Sequence, residues 1–211
     1  MIDTIIFDLS EVCVNGLMGF EKVLSRETGV NVFLIDQYLH DSKMTDAFTG
    51  KITERQYFEK FKNDIENAVG GLYSGMEMPA LEIMIRRNFT EVPGMGKIIV
   101  ALKEDKDYKL GLLSDHMREW VEYIENTRCF LRFFDKKIYS FKSGYTKASS
   151  LAFEYALSKL QAKPENVLFI DDQSKNLEVA ASAGIKHLHH FSDAERLRKD
   201  LMANYGIDVA I

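Results

Sequence analysis

The pattern of hydrophobic and polar positions changes character twice along this chain. Thr4 to Leu9 is an apolar run apart from its ends, and it reaches one carboxylate, Asp8. A short run without alternation predicts a strand buried on both faces of a parallel sheet. From Asn15 to Glu91 the spacing becomes helical. Phe20, Val23 and Leu24 share one face, ended by Gly29, and Val32, Ile35 and Leu39 make a second helix. Thr53 with Gln56 is a capping-box pattern opening a third helix, through Tyr57, Phe58 and Phe61. Gly70-Gly71 and Ser74-Gly75 break the chain. Pro79 then suits the first turn of a fourth helix carrying Leu81, Met84 and Ile85.

Beyond Val92-Pro93-Gly94 helices and strands alternate. The pattern predicts a helix over 98–102, then a strand over 109–113 running into Ser114-Asp115-His116. A helix over 117–126, with Trp120, and a short strand within 133–140 follow. Next come a helix over 150–160, a strand over 167–170 running into Asp171-Asp172, and a helix over 177–183 ended by Gly184. A last strand over 185–191 precedes a C-terminal helix capped by Ser192 with Glu195 and stopped near Gly206. Such alternation implies an α/β fold with a parallel sheet and right-handed crossovers. Residues 1–14 and 92–211 form the core domain, and 15–91 an inserted helical cap domain. The ends of the insertion must lie close together, over the carboxyl edge of the first strand, where a lid would sit.

Composition narrows the function. With 211 residues, 46% apolar and 11% aromatic, the chain can build a real core. A net charge of −5 argues against a nucleic-acid or anionic-membrane surface, but leaves room for a small anionic substrate in a locally positive site. Cys13 and Cys129 have no metal-type spacing, Asp3 and Asp8 interrupt any leader-like start, and no segment approaches a membrane span. The expectation is a soluble cytoplasmic protein, a monomer or homodimer, with neither membrane nor nucleic acid as partner.

Asp8, Asp171 and Asp172 all end predicted strands. Carboxylates converging at one sheet edge repel each other unless a cation neutralises them, and Mg2+ suits one or two carboxylates plus water. A carboxylate held there can also act as a nucleophile toward phosphorus. Phosphoryl chemistry needs donors as well, and Ser114 and Lys147 can supply them.

This ordered set resembles the haloacid dehalogenase-like hydrolase superfamily. Its pattern is a strand with Asp-x-Asp, a strand ending in Thr or Ser, a loop Lys, and a strand ending in paired acids. Here these are Phe7-Asp8-Leu9-Ser10, Leu112-Leu113-Ser114, Gly144-Tyr145-Thr146-Lys147 and Phe169-Ile170-Asp171-Asp172. Asn176, Ala180, Ala181 and Ala183-Gly184-Ile185 extend the fourth motif, and the helical insertion looks like the family's cap. The likeness covers essentially the whole chain, and the nearest branch resembles the helical-cap phosphatases that include the N-terminal phosphatase domain of mammalian soluble epoxide hydrolase. It implies a Rossmann-like core and a Mg2+-dependent phosphatase acting on a small phosphorylated substrate through an aspartyl-phosphate on Asp8. The implied metal ligands are Asp8, the Ser10 carbonyl and Asp172, with Asp171 beside them or reaching through water. Ser114 and Lys147 would hold the phosphoryl group, and Lys147 would neutralise Asp8.

Ser10 departs from the family. The usual second Asp protonates the leaving group, and a serine hydroxyl is a poor general acid, a loss of typically about 10²–10⁴-fold. Glu11 either takes that role or is a turn residue. Dehalogenases and phosphonate hydrolases of the same scaffold also lack that Asp, so they stand as alternatives, as does a binding protein without turnover. Asp115 follows Ser114 among the substrate-binding positions, or sits in the first turn of a helix, where its charge favours the dipole. His116 reads as facing substrate or as an exposed first-turn residue, and Lys142 as solvated or a second phosphate contact. His187, His189 and His190 belong to the last strand, with 187 and 189 on one face, or form a metal cluster. Trp120, Phe20, Phe58 and Phe61 read as core, and Asn15-Gly16 as the hinge into the cap.

Overall fold

The computed structural model describes residues 1–70, 77–104 and 108–209. The glycine and serine breaks at Gly71, Ser74 and Gly75 lie outside the described residues. The chain begins with strand β1 (Thr4–Phe7) and the two-residue β2 (Val14–Asn15). Helices α1 (Phe20–Thr28), α2 (Val32–Leu39), α3 (Ser42–Phe48), α4 (Glu54–Ala68) and α5 (Met78–Asn88) follow, then β3 (Thr90–Glu91). The remainder alternates: α6 (Met95–Glu104), β4 (Lys109–Ser114), α7 (Arg118–Thr127), β5 (Lys136–Tyr139), α8 (Ser140–Ser143) and α9 (Ser150–Leu160). It ends with β6 (Val167–Asp171), α10 (Ser174–Ser182), β7 (His187–His190) and α11 (Ala194–Tyr205).

Five strands form a parallel sheet in the order β5-β4-β1-β6-β7. β1 is central and buried along its whole length, as its unbroken apolar run requires. The order reverses around β1, and in open α/β sheets the crevice at such a switch point collects ligands. Register then decides which polar residues meet. Phe7 pairs with Leu112 on one side and Ile170 on the other, so Asp8, one residue on, falls level with Asp171. The Asp8 N–H continues the ladder to the Ile170 carbonyl at 2.9 Å.

The helical segment returns to the sheet through a ribbon that periodicity did not reveal. β2 and β3 pair antiparallel, Val14 with Glu91 and Asn15 with Thr90, which brings together the two ends expected to be close. Gly16 (φ 128°) completes this neck: a Cβ there would lie 2.3 Å from the Asn88 carbonyl oxygen, and its own carbonyl accepts from Asn88 Nδ2. Gly50 (φ 73°) allows a second close approach, where a Cβ would meet the Phe141 carbonyl at 2.8 Å. Buried apolar side chains of the segment, including Phe20, Phe58 and Phe61, join Ile5 and Phe7 of β1 and Trp120 in one contiguous cluster.

α4 shows how sequence sets this packing. Thr53 and Gln56 form the capping box, and Tyr57, Phe58, Phe61 and Ile65 bury one face. Glu54 is also buried: its Oε1 accepts from Trp120 Nε1 at 2.8 Å and its Oε2 pairs with Arg86 at 2.6 Å. Burial pushes the Glu54 carboxyl up, against Arg86 and Trp120. Glu54→Ala strands the indole N–H and loosens Arg86, so urea unfolding should show a loss of about 2–3 kcal/mol. A loss below about 0.5 kcal/mol would mean that this buried triad is not holding the helical segment to the sheet.

Two local expectations are corrected. The segment has five helices among the described residues rather than four, because α3 was not anticipated. The C-terminal helix is capped by Asp193, whose side chain accepts from the Arg196 N–H at 2.8 Å, and not by Ser192; Glu195 instead pairs with Lys199 at 2.7 Å. Adjacent Ser and Asp both suit a cap, and the helix takes the later register. No helix among the described residues is long and apolar enough to cross a membrane.

Candidate active site

The strand ends converge as their register dictates. One carboxylate oxygen each from Asp8, Asp171 and Asp172 lies within 4.8 Å of the others. Lys147 enters from the loop after α8, buried, with Nζ 2.7 Å from Asp8 Oδ1 and 2.7 Å from Asp171 Oδ2. Asp8 Oδ1 also accepts from the Leu9 N–H at 2.6 Å, and among the described residues none bonds to Oδ2. The Cys13 thiol reaches the Asp8 carbonyl at 3.2 Å and is pushed up by burial. Cys13 is buried and Cys129 exposed, both as free thiols.

The paired acids differ in their bonds. Asp171 Oδ1 accepts from the Gln173 N–H and from Asn176 Nδ2, and Oδ2 from Lys147 and Asn176, so this carboxylate is saturated. Asp172 Oδ1 is buried with no partner among the described residues. The cluster is electrostatically crowded: burial pushes Asp8 well up, Asp171 and Asp172 push the same way, and Lys147 opposes. Burial likewise raises Asp172, with Asp171 adding to it. For Lys147 burial alone would act downward, but Asp8, Asp171 and Asp115 outweigh it and hold the ammonium above its ordinary value.

Of the cluster, Asp8 opens with Lys147 into a cavity of about 460 Å3 that Ser10, Asp115 and Asn176 line together with Leu17, His40, Asp41, Met44, Thr45 and Phe48, while Asp171, Asp172 and Ser114 do not line it. A larger hollow of about 1000 Å3 between α6 and the turn after α7 holds none of the clustered acids, so chemistry selects the smaller one. α3, the helix missed in the sequence, supplies Met44, Thr45 and Phe48 to the wall. The Asp41 carboxylate capping that helix was its available signal.

Several side chains lie elsewhere than expected. Glu11 is no candidate acid: at φ 58° its Oε1 accepts from the N–H groups of Gly16, Leu17 and Met18, tying the turn after β1 to the neck. His116 is neither exposed nor facing the cavity. It is buried against Phe48, Phe89 and Trp120, its Nδ1 is 2.8 Å from Ser114 Oγ, and burial lowers it to about 3, so it is neutral. Ser114 is fully buried at the end of β4. Asp115 is not in the first turn of α7, which starts at Arg118. Its Oδ2 accepts from the Lys147 N–H at 2.9 Å, while its Oδ1 is buried with no partner among the described residues. Lys142 is exposed beside the Tyr139 and Phe141 rings, away from the cavity. His187 and His189 both face Tyr205 from β7, as strand alternation requires, and His190 bonds the Asp172 carbonyl.

A family model for haloacid dehalogenase-like hydrolases matches residues 2–184, and the chain belongs to that family and is a hydrolase of it. It is 25% identical over 224 residues to a glyceraldehyde 3-phosphate phosphatase of Methanothermobacter thermautotrophicus, covering 100% of this chain and 95% of that one. Solved structures share the fold. A HAD-like family hydrolase from Porphyromonas gingivalis has TM-score 0.75, 22% identity and coverage of 99% and 100% of the two chains. A HAD family enzyme from Bacteroides thetaiotaomicron, in complex with magnesium and inorganic phosphate, has TM-score 0.68, 19% identity and coverage of 93% and 99%. L-2-haloacid dehalogenase from Xanthobacter autotrophicus has TM-score 0.66, 15% identity and coverage of 100% and 85%.

Proposed function

We propose that this hydrolase is a Mg2+-dependent phosphatase of a small phosphorylated metabolite, with Asp8 as nucleophile. The observation that carries the reading is the crowding of Asp8, Asp171 and Asp172 around a single ammonium. These are hard oxygen donors with too little positive charge to balance them, which fits a hard divalent cation. Asp8 and Asp172 would hold it, the latter through its unpartnered Oδ1, with the Ser10 carbonyl as third ligand. Saturated Asp171 would act at one remove, fixing Lys147. When bound, the metal supplies charge neutralisation at the phosphoryl oxygens.

The chain's own groups then follow. Lys147 orients Asp8 and offers its ammonium to the phosphoryl group. Ser114 can donate its hydroxyl there only while His116 keeps its proton on Nδ1, so that Ser114 Oγ accepts from the ring and its own hydrogen is free. The segment 15–91 acts as a cap: α3 walls the cavity and sets which leaving group fits. The relative named as a glyceraldehyde 3-phosphate phosphatase supports a small phosphorylated substrate.

The test is a screen of phosphomonoesters with and without Mg2+, beside a halide-release assay on 2-haloacids without metal. Phosphate release that needs Mg2+ is expected. Metal-independent halide release with no phosphate release would overturn the reading in favour of a dehalogenase, a rival motivated by Ser10 and by dehalogenases among the solved structures of this fold.

A further inference from the structure

Transfer of a phosphoryl group from an alkyl ester leaves an alkoxide that must be protonated, and the obvious groups near Asp8 cannot do it. The Ser10 hydroxyl is too weak an acid. Glu11 is committed to three backbone N–H groups. Lys147 is fixed between two carboxylates. Of the other titratable groups on the cavity wall, Asp41 caps α3 and pairs with Lys43 at 2.7 Å, and His40 lies 3.6 Å from Asp36. Lys175 is an exposed ammonium. Asp115 remains. One of its oxygens is fastened to the Lys147 backbone N–H, and the other is buried without a partner among the described residues. One lysine therefore holds both carboxyls, Asp8 by its ammonium and Asp115 by its amide.

We propose that Asp115 is the acid–base residue of this site, a role that rests on the phosphatase reading above. In the first half, an Asp8 oxygen bonds phosphorus and the ester P–O bond breaks. Its electron pair goes to the leaving oxygen, which takes the Asp115 proton and departs as an alcohol. In the second half, water bonds phosphorus and gives a proton to Asp115, the Asp8–phosphorus bond breaks with its pair returning to the carboxylate, and phosphate leaves. Burial favours the neutral carboxyl of Asp115, partly offset by Lys147. That neutral form also removes the conflict of an anion beside a phosphate.

The test is a leaving-group series with Mg2+, comparing 4-nitrophenyl phosphate with glycerol phosphate. A nitrophenolate leaves without help, whereas an alkoxide does not. Asp115→Asn, nearly isosteric, should lose about 10²-fold in kcat/KM on the alkyl ester and only a few-fold on the aryl ester. Ser10→Asp in the Asp115→Asn background should recover part of the alkyl rate by supplying a carboxyl from the neighbouring strand end. Equal losses on both esters, or no loss on either, would overturn the proposal and leave the phosphatase reading standing. Wild-type protein inactive on both esters would defeat the phosphatase reading itself.

Discussion

Asp8→Asn is expected to abolish Mg2+-dependent phosphate release, by on the order of 10⁴-fold or more, while the protein stays folded. The amide fills the same space and can still meet the Leu9 N–H and Lys147 through its oxygen, the partners that orient the native side chain. What it lacks is an anionic oxygen able to bond phosphorus. The substitution also removes one of three clustered carboxylates that share a single ammonium. Without metal, the thermal midpoint of the variant should therefore equal or exceed that of the native protein. With Mg2+ added, the native midpoint should rise further than the variant's, since one proposed ligand is gone. Phosphate release and thermal unfolding on the same preparations check both halves. Equal rates in native and variant protein would remove Asp8 from the nucleophile's place.

The strands and their terminal acids were legible because each is local. A short apolar run marks a buried strand, and the polar residue that ends it must lie at the sheet edge. Parallel register then brings Asp8 level with Asp171 without further information. What could not be read depends on distant partners. His116 is buried because Phe48, Phe89 and Trp120 close over it from three separate stretches of chain. Glu11 adopts φ 58° because three N–H groups of the following turn repay the strain. α3 is only seven residues long and, among its described side chains, buries just Met44 and Ala47, too little for a periodic signal. Yet α3 walls the cavity, so the wall opposite the strand ends was the least readable part of the site.

Lys147→Met should separate two contributions of one side chain. The ammonium lies 2.7 Å from carboxylates of both Asp8 and Asp171, and the three groups are buried. Removing it leaves two buried acids without their cation, and breaking such a pair costs about 3–5 kcal/mol. The cost depends on pH. Burial and the neighbouring acids already hold Asp8 above the ordinary carboxylate range, and loss of Lys147 raises it further. A carboxyl raised in the folded state favours folding below its unfolded pKa and loses that contribution as pH rises through the folded value. The stability deficit of the variant should thus be smallest in acid and largest at mildly alkaline pH. Added Mg2+ should shrink it, because a divalent cation neutralises the same carboxylates. Activity should not return with it. A metal held as proposed on Asp8 and Asp172 would leave the lysine side of the phosphoryl group without its donor, a loss of about 10³-fold. Urea unfolding at both pH extremes, with and without Mg2+, together with phosphate release, resolves the two contributions. If the metal-free variant matches the native protein in alkali, Asp8 and Asp171 do not rely on Lys147 for neutralisation. If Mg2+ restores the rate, Lys147 acts on the carboxylates alone and not on the phosphoryl group.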